Sequence, residues 1–251
     1  MPHLRSLGLA ACFAVVALHG TTVAHEDDPK ARGVEPPVRA EAYRADEGGV
    51  AGGVFDSEGM TLMTWLPLAE FSSAASSGND CWGYTSPAGR EYAIIGLNNG
   101  TGFAEVTNPG STQVVAFLSG PTSLWRDMKV FGEYAYAVSE GGGGIQIFDL
   151  TQIDSGIVTL AGQQTAGGTA SSHNVAIDDV SGFLYRCGGG SNGLRIYDLN
   201  ANPTNPPQVG AWADRYVHDA QIVTFTEGPN AGRQIAFCFG GYNGGSTETG
   251  V

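Results

Sequence analysis

The sequence predicts an all-β fold, a β-propeller of which this chain contains three blades and part of a fourth. Strand-like runs recur with a period in the forties, and glycine makes up 38 of the 251 residues. Beyond the N-terminal apolar segment, no stretch keeps a helical period. A unit of a few strands cannot bury its sheet faces alone, so we expect such units to stack side by side.

Each unit begins with two adjacent polar residues. The second members of these polar pairs are at positions 80, 127, 174 and 219, so the spacings are 47, 47 and 45 residues. The pairs are Asn79-Asp80, Arg126-Asp127, His173-Asn174 and His218-Asp219. They divide the propeller region, 60–251, into blades at about 79–122, 123–170, 171–216 and 217–251.

Within each of the first three units, an aromatic strand is followed by a Gly-rich turn and another strand. The aromatic strands are EYAIIGL (91–97), EYAYAVS (133–139) and GFLYRCG (182–188). The strands that follow are GFAEVTN (102–108), IQIFDLT (145–151) and LRIYDLN (194–200). Alternation along the aromatic strands predicts that one set of side chains is buried between blades. The candidates are Tyr92, Tyr134, Tyr136, Phe183, Tyr185, Ile235 and Phe237.

Residues 1–24 have the pattern of a signal peptide. Arg5 precedes an apolar core, Leu7 to Leu18, that is too short to span a bilayer, and small residues precede a cleavage point before His25. A buried helix and a retained anchor are the alternatives. We therefore expect a secreted or cell-surface protein.

The segment that follows, 25–59, is polar, charged and Pro-containing, which predicts a disordered leader. Strand character resumes at Met60 to Leu68, and we expect this run to form the outer strand of the last blade. The sequence ends at Val251 inside the Gly-rich turn of the fourth unit. We expect a longer product to carry the remaining blades, and this chain alone to be marginally stable and prone to aggregate.

The charge of the chain argues against nucleic-acid binding. Its net charge is −13, and its 12 Lys and Arg residues are spread along the sequence instead of forming a basic patch.

Three cysteines remain after Cys12 is removed with the signal. Cys187 and Cys238 fall at equivalent points of consecutive units by sequence. Facing sheets pack about 10 Å apart, whereas a disulfide needs Cα atoms within about 7 Å. The sequence therefore predicts free thiols that act as small apolar side chains.

The polar pairs are the candidate functional residues, because the first strand of each blade lines the central channel and begins at one mouth. The residues expected around that mouth are Asp80, Arg126, Asp127, His173, Asn174, His218 and Asp219. One hypothesis is that they tie strand ends together by hydrogen bonds, which their repetition favours. The other is that they bind a ligand or a divalent cation, or act as acid and base. We expect no other cofactor.

Several motifs, taken in order, resemble the choice-of-anchor B family, exported bacterial proteins with LVIVD-type propeller repeats. The motifs are SGNDCWGYTSPAGREYAIIGLNNGTGFAEVTNP (77–109), SLWRDMKVFGEYAYAVSE (123–140), IQIFDLTQ (145–152), SHNVAIDDVSGFLYR (172–186) and VHDAQ (217–221). The resemblance covers roughly residues 48–251 and implies a propeller and export. It implies no reaction, and membrane attachment would need an anchor that this sequence does not show.

Taken together, these patterns predict an exported propeller scaffold that binds a protein or surface ligand and catalyses no reaction. The alternative is a propeller hydrolase or metal-binding protein that uses His173, His218 and Asp219.

Overall fold

The computed structural model describes residues 42–44, 61–168, 170–190 and 193–240. The predicted signal peptide, most of the predicted leader and the end of the fourth unit lie outside these residues. The described part of the chain is all-β and is built mainly from four-stranded antiparallel sheets, which confirms the all-β part of the prediction. Within it, no helix has the length and apolar character needed to cross a membrane.

The first described elements are short. Strand β1 (Tyr43–Arg44) pairs with β2 (Thr64–Trp65), although residues 43 and 44 lie in the segment expected to lack structure. Strand β2 lies within the 60–68 run, so this run pairs with β1 instead of with the last blade, as had been expected. A four-residue helix, α1 (Leu68–Phe71), follows Pro67 and was not predicted. The Phe71 ring of α1 lies against the backbone of Gly102, which has no side chain in the way.

The first sheet is a meander in which each strand pairs with the next. Its strands are β3 (Gly78–Thr85), β4 (Glu91–Leu97), β5 (Gly100–Glu105) and β6 (Gln113–Ser119). Asn108 caps the 3₁₀ turn at Pro109–Ser111 before β6, because its side chain accepts the Gly110 N–H.

The next two sheets repeat this order, and the last described sheet contains two strands. The second sheet has β7 (Arg126–Phe131), β8 (Tyr134–Ser139), β9 (Ile145–Asp149) and β10 (Thr159–Gln164), with a 3₁₀ turn at Ile153–Ser155. The third has β11 (Asn174–Asp178), β12 (Phe183–Cys187), β13 (Leu194–Asp198) and β14 (Gln208–Trp212). The fourth has β15 (Asp219–Thr224) and β16 (Gln234–Phe239).

The first strands of successive sheets lie side by side, in the order β3, β7, β11, β15. Neighbouring sheets therefore face each other, and apolar clusters fill the space between them. Between the first and second sheets, for example, the rings of Phe103 and Phe148 meet edge to face with centroids 5.6 Å apart.

The second strand of each complete sheet is covered on both faces. Tyr92, Tyr136 and Tyr185 are buried as expected, and Tyr134 and Phe183, which lie on the same face two residues away, are half-buried. The opposite face of β8 and β12 is buried as well, through Ala135, Ala137 and Leu184. Ile235 and Phe237 are half-buried as well. The expected set is therefore buried between sheets, and the opposite set is buried too, because a sheet between two neighbours has apolar contacts on each side.

The buried tyrosines also join each sheet to the next through their hydroxyl groups. Tyr92 donates to Asp154 Oδ1 at 2.7 Å, and Tyr136 donates to the carbonyl of Pro203 at 3.1 Å. The Tyr185 hydroxyl donates to Gln234 Oε1. These bonds lie at the opposite end of the sheets from the polar pairs.

The three cysteines of the described residues are free, as the sequence predicts, and Cys187 is fully buried, whereas Cys81 is exposed. The expected equivalence of Cys187 and Cys238 is wrong by one residue. Cys187 pairs with Asn174, whereas Cys238 pairs with Ala220 instead of Asp219. One step along a strand reverses the face, and both thiols accordingly lie in the apolar cluster between the third and fourth sheets.

Candidate functional site

The second members of the polar pairs lie at the same end of the four first strands. Asn174 and Asp219 begin their strands, Asp127 is the second residue of β7, and Asp80 is the third residue of β3. Since the first strands are neighbours, this end forms a continuous rim, which we call the polar rim.

Three aspartates of the polar rim make the same local bond. The side chains of Asp80, Asp127 and Asp219 accept the backbone N–H of the following residue at 2.8, 2.6 and 2.7 Å. Side-chain oxygens of aspartate commonly satisfy nearby backbone donors in this way. The repeated residue type therefore has a repeated local role.

Two rim residues also join neighbouring sheets. Asn79 Oδ1 accepts the Arg126 N–H at 2.7 Å, and Asp127 Oδ2 accepts the Val175 N–H at 2.8 Å. The Asp127 side chain is only 2% exposed, so without it the Val175 donor would have little access to water. These bonds connect the first sheet to the second and the second to the third.

Arg126 is buried and acts within the protein. Its guanidinium donates to the carbonyls of Leu97 and Pro121 and to Gln146 Oε1, at 3.1, 2.6 and 2.9 Å. Burial lowers the pKa of Arg126 to about 10, so the group stays charged at neutral pH. The side chain thus links the first and second sheets instead of facing a ligand.

An acid–lysine cluster occupies the rim between the first two sheets. Lys129 Nζ lies 2.6 Å from Asp127 Oδ1, 3.6 Å from Asp80 Oδ2 and 4.5 Å from the centre of the Trp82 ring. Burial, together with the hydrogen bond to Asp80, raises the pKa of Asp127 to about 8. Partial burial opposes ionisation of Asp80, but the hydrogen bonds with Asp127 and the Cys81 N–H, together with the charge of Lys129, outweigh it and hold the pKa of Asp80 below its usual value. At neutral pH the two carboxyls therefore share one proton, held mainly by Asp127.

A histidine cluster lies where the second, third and fourth sheets meet. His173 Nδ1 is 2.7 Å from Glu140 Oε1, and the His173 and His218 rings are tilted with centroids 4.1 Å apart. The Trp125 ring lies 5.6 Å from the His173 ring. A carboxylate bonded to one ring nitrogen fixes the orientation of an imidazole, which suits it to acid–base chemistry.

The structure brings together some of the predicted residues and separates others. His173 and His218 meet, as a ring of rim residues requires, but Asp219 is exposed and bonded to its own strand. Sequence reasoning missed Glu140 and Trp125. Glu140 directly follows β8, and because β8 runs antiparallel to β7, its end lies beside the start of β7. That topological argument could have found Glu140.

Over the described ranges, no group of three or more His, Cys, Asp or Glu side chains is arranged to hold a metal ion. Comparison of the chain with protein-family models and with curated proteins finds no match.

Proposed function

We propose that this chain is an exported β-propeller scaffold of the choice-of-anchor B kind, which binds a protein or surface ligand and catalyses no reaction. The propeller arrangement is supported by three successive four-stranded meanders whose first strands are neighbours. Blades of this kind surround an axis with their first strands innermost. The signal-peptide pattern of residues 1–24 supports export.

The observation that carries the scaffold function is the use of the polar pairs. The side-chain oxygens of Asn79 and Asp127 accept hydrogen bonds from backbone N–H groups of the next sheet. The Arg126 guanidinium donates to backbone carbonyls within the protein. A catalytic or ligand-binding group must keep such atoms available for the substrate. The first two polar pairs therefore hold successive sheets together.

The ligand surface that we propose is the exposed part of the polar rim around Trp82. This side chain is 43% exposed, and exposed aromatic rings are frequent binding determinants. Fluorescently labelled protein, titrated onto intact cells of the source bacterium, should bind saturably and be displaced by unlabelled protein. A Trp82→Ala variant should bind at least tenfold more weakly.

Val180 provides the matched control, because it is 66% exposed and lies in the turn after β11, at the opposite end of the sheets. A Val180→Ala variant should bind like the unaltered protein. Binding that is not saturable, or that both variants weaken equally, would contradict the proposed rim surface. N-terminal sequencing of the exported protein tests export separately and should find His25 first.

A second candidate function rests on the histidine cluster. The Glu140–His173 contact, with His218 against it, suits the acid–base chemistry of a hydrolase. A metal-binding protein is the less favoured alternative, because the described residues contain no group arranged to hold a metal ion. Metal analysis of the purified protein, and hydrolysis of generic ester and phosphoester substrates by the His173→Gln variant and its parent, test this function. Stoichiometric metal, or hydrolysis lost in the variant, would favour it over the scaffold.

A further inference from the structure

Lys129 holds its amine against a carboxyl in a sheltered place. Its side chain is 18% exposed and that of Asp127 is 2% exposed, and the Trp82 ring covers the amine. Residues 127 and 129 are two apart on β7, so their side chains leave the same face of the strand. The nitrogen and the carboxyl oxygen are already 2.6 Å apart.

We propose that Lys129 and Asp127 condense to form an intramolecular isopeptide bond, with Asp80 as the base. The Lys129 ammonium transfers one proton to the Asp80 carboxylate, and the free amine attacks Cγ of the Asp127 carboxylic acid. The new C–N bond forms as the C–O bond to the hydroxyl breaks. The hydroxyl takes up the second amine proton and leaves as one water molecule. No oxidant, metal or cofactor enters this balance.

The protonation states of the cluster suit this reaction. An amide forms from a neutral carboxylic acid, and burial raises the pKa of Asp127 to about 8, so this carboxyl is largely protonated at neutral pH. The base must be ionised, and the pKa of Asp80 is held below its usual value. Preformed contact between the reacting groups replaces a bimolecular encounter, which can accelerate condensation by many orders of magnitude.

The product removes a cost that the unreacted cluster carries. The Lys129 ammonium is largely withdrawn from water beside the buried Asp127 carboxyl, and a sheltered charge loses hydration. The amide is neutral, and its carbonyl oxygen can still accept the Val175 N–H that Asp127 accepts now. The link between the second and third sheets would then no longer depend on pH.

Mass spectrometry of the intact chain and of its tryptic peptides tests the proposal. The chain should be one water molecule lighter than its sequence, and trypsin should fail to cut after Lys129, leaving 127–186 as one peptide. The Lys129→Arg variant should have its full mass. The Asp80→Asn variant should also keep its full mass while remaining folded, because the Asn oxygen can still accept the Cys81 N–H.

Two results would overturn the proposal. One is an unaltered chain with its full mass and normal cleavage after Lys129. The other is a water loss that persists in Lys129→Arg, because the Met128 nitrogen also lies against Asp127 Oδ1, at 2.6 Å, and could form a succinimide instead. Peptide sequencing places the loss and separates the two products.

Discussion

Tyr136 tests whether the sheets are held together by the contacts between them. Its side chain is fully buried in the apolar cluster between the second and third sheets. Its hydroxyl donates to the Pro203 carbonyl of the third sheet at 3.1 Å. Burial raises the pKa of Tyr136, so the hydroxyl remains a donor across the usable pH range.

Two substitutions separate the ring from the hydroxyl. Tyr136→Phe removes one hydrogen bond and should lower the free energy of unfolding by about 0.5–1.5 kcal/mol. Tyr136→Ala also leaves a cavity where the ring was, and large-to-small changes of buried aromatic residues cost about 3–5 kcal/mol. Tyr134→Phe on the same strand is the control, since Tyr134 is only half-buried, and it should change stability by less than about 0.5 kcal/mol.

Urea unfolding followed by circular dichroism measures all three variants. From the most to the least stable, the variants should rank Tyr134→Phe, Tyr136→Phe and Tyr136→Ala. A loss below about 1 kcal/mol in Tyr136→Ala would refute the packing between the second and third sheets.

Three further outcomes follow from other contacts. A Cβ at Gly96 would lie 2.7 Å from the Arg126 carbonyl oxygen, so Gly96→Ala should lower the free energy of unfolding in urea by about 1–3 kcal/mol. Gly83 has open space around it, so Gly83→Ala should lower that free energy less. Burial raises the pKa of the Cys187 thiol well above its ordinary value, so iodoacetamide should label it only in urea, and fast labelling of the native protein would contradict its burial. The hydrogen bond from Arg90 lowers the pKa of Glu105. The interaction therefore stabilises the folded chain at pH values above the ordinary glutamate pKa, and this stabilisation is lost as the pH falls through the pKa of the folded state. Thermal melts from pH 6 down to about 3 should therefore show a smaller decrease in Tm for Glu105→Gln than for the parent chain.

Local sequence patterns were sufficient to predict the second and third strands of the first three units. The 91–97 run matches β4 from end to end, because its apolar residues lie between a turn and the next Gly-containing turn. The helix at Leu68–Phe71 was missed, since four residues make too short a pattern for helical periodicity to register. The register of Cys238 was missed because the turn between the first two strands is longer in the fourth unit (225–233) than in the third (179–182).

The candidate site was only partly predictable, because its contacts join residues of different units. Repetition located Asp127 and His173, but Lys129 and Trp82 occur in one unit each and have no repeated counterpart. Their proximity depends on how two sheets face each other, and periodicity contains no information about that. The antiparallel order of β7 and β8 places Glu140 at the rim, but its contact with His173 joins two sheets and does not follow from the repeat.

The tyrosine hydroxyl bonds have a consequence for the time course of folding. Each of them joins residues that are 49 to 67 positions apart, roughly one unit or more. A growing chain can therefore complete such a bond only after the next unit has been made. At about 5–20 residues per second, adding some 50 residues takes roughly 2–10 s. During that interval the most recently made sheet has an uncovered apolar face, so a chaperone that binds such faces would be needed one unit at a time.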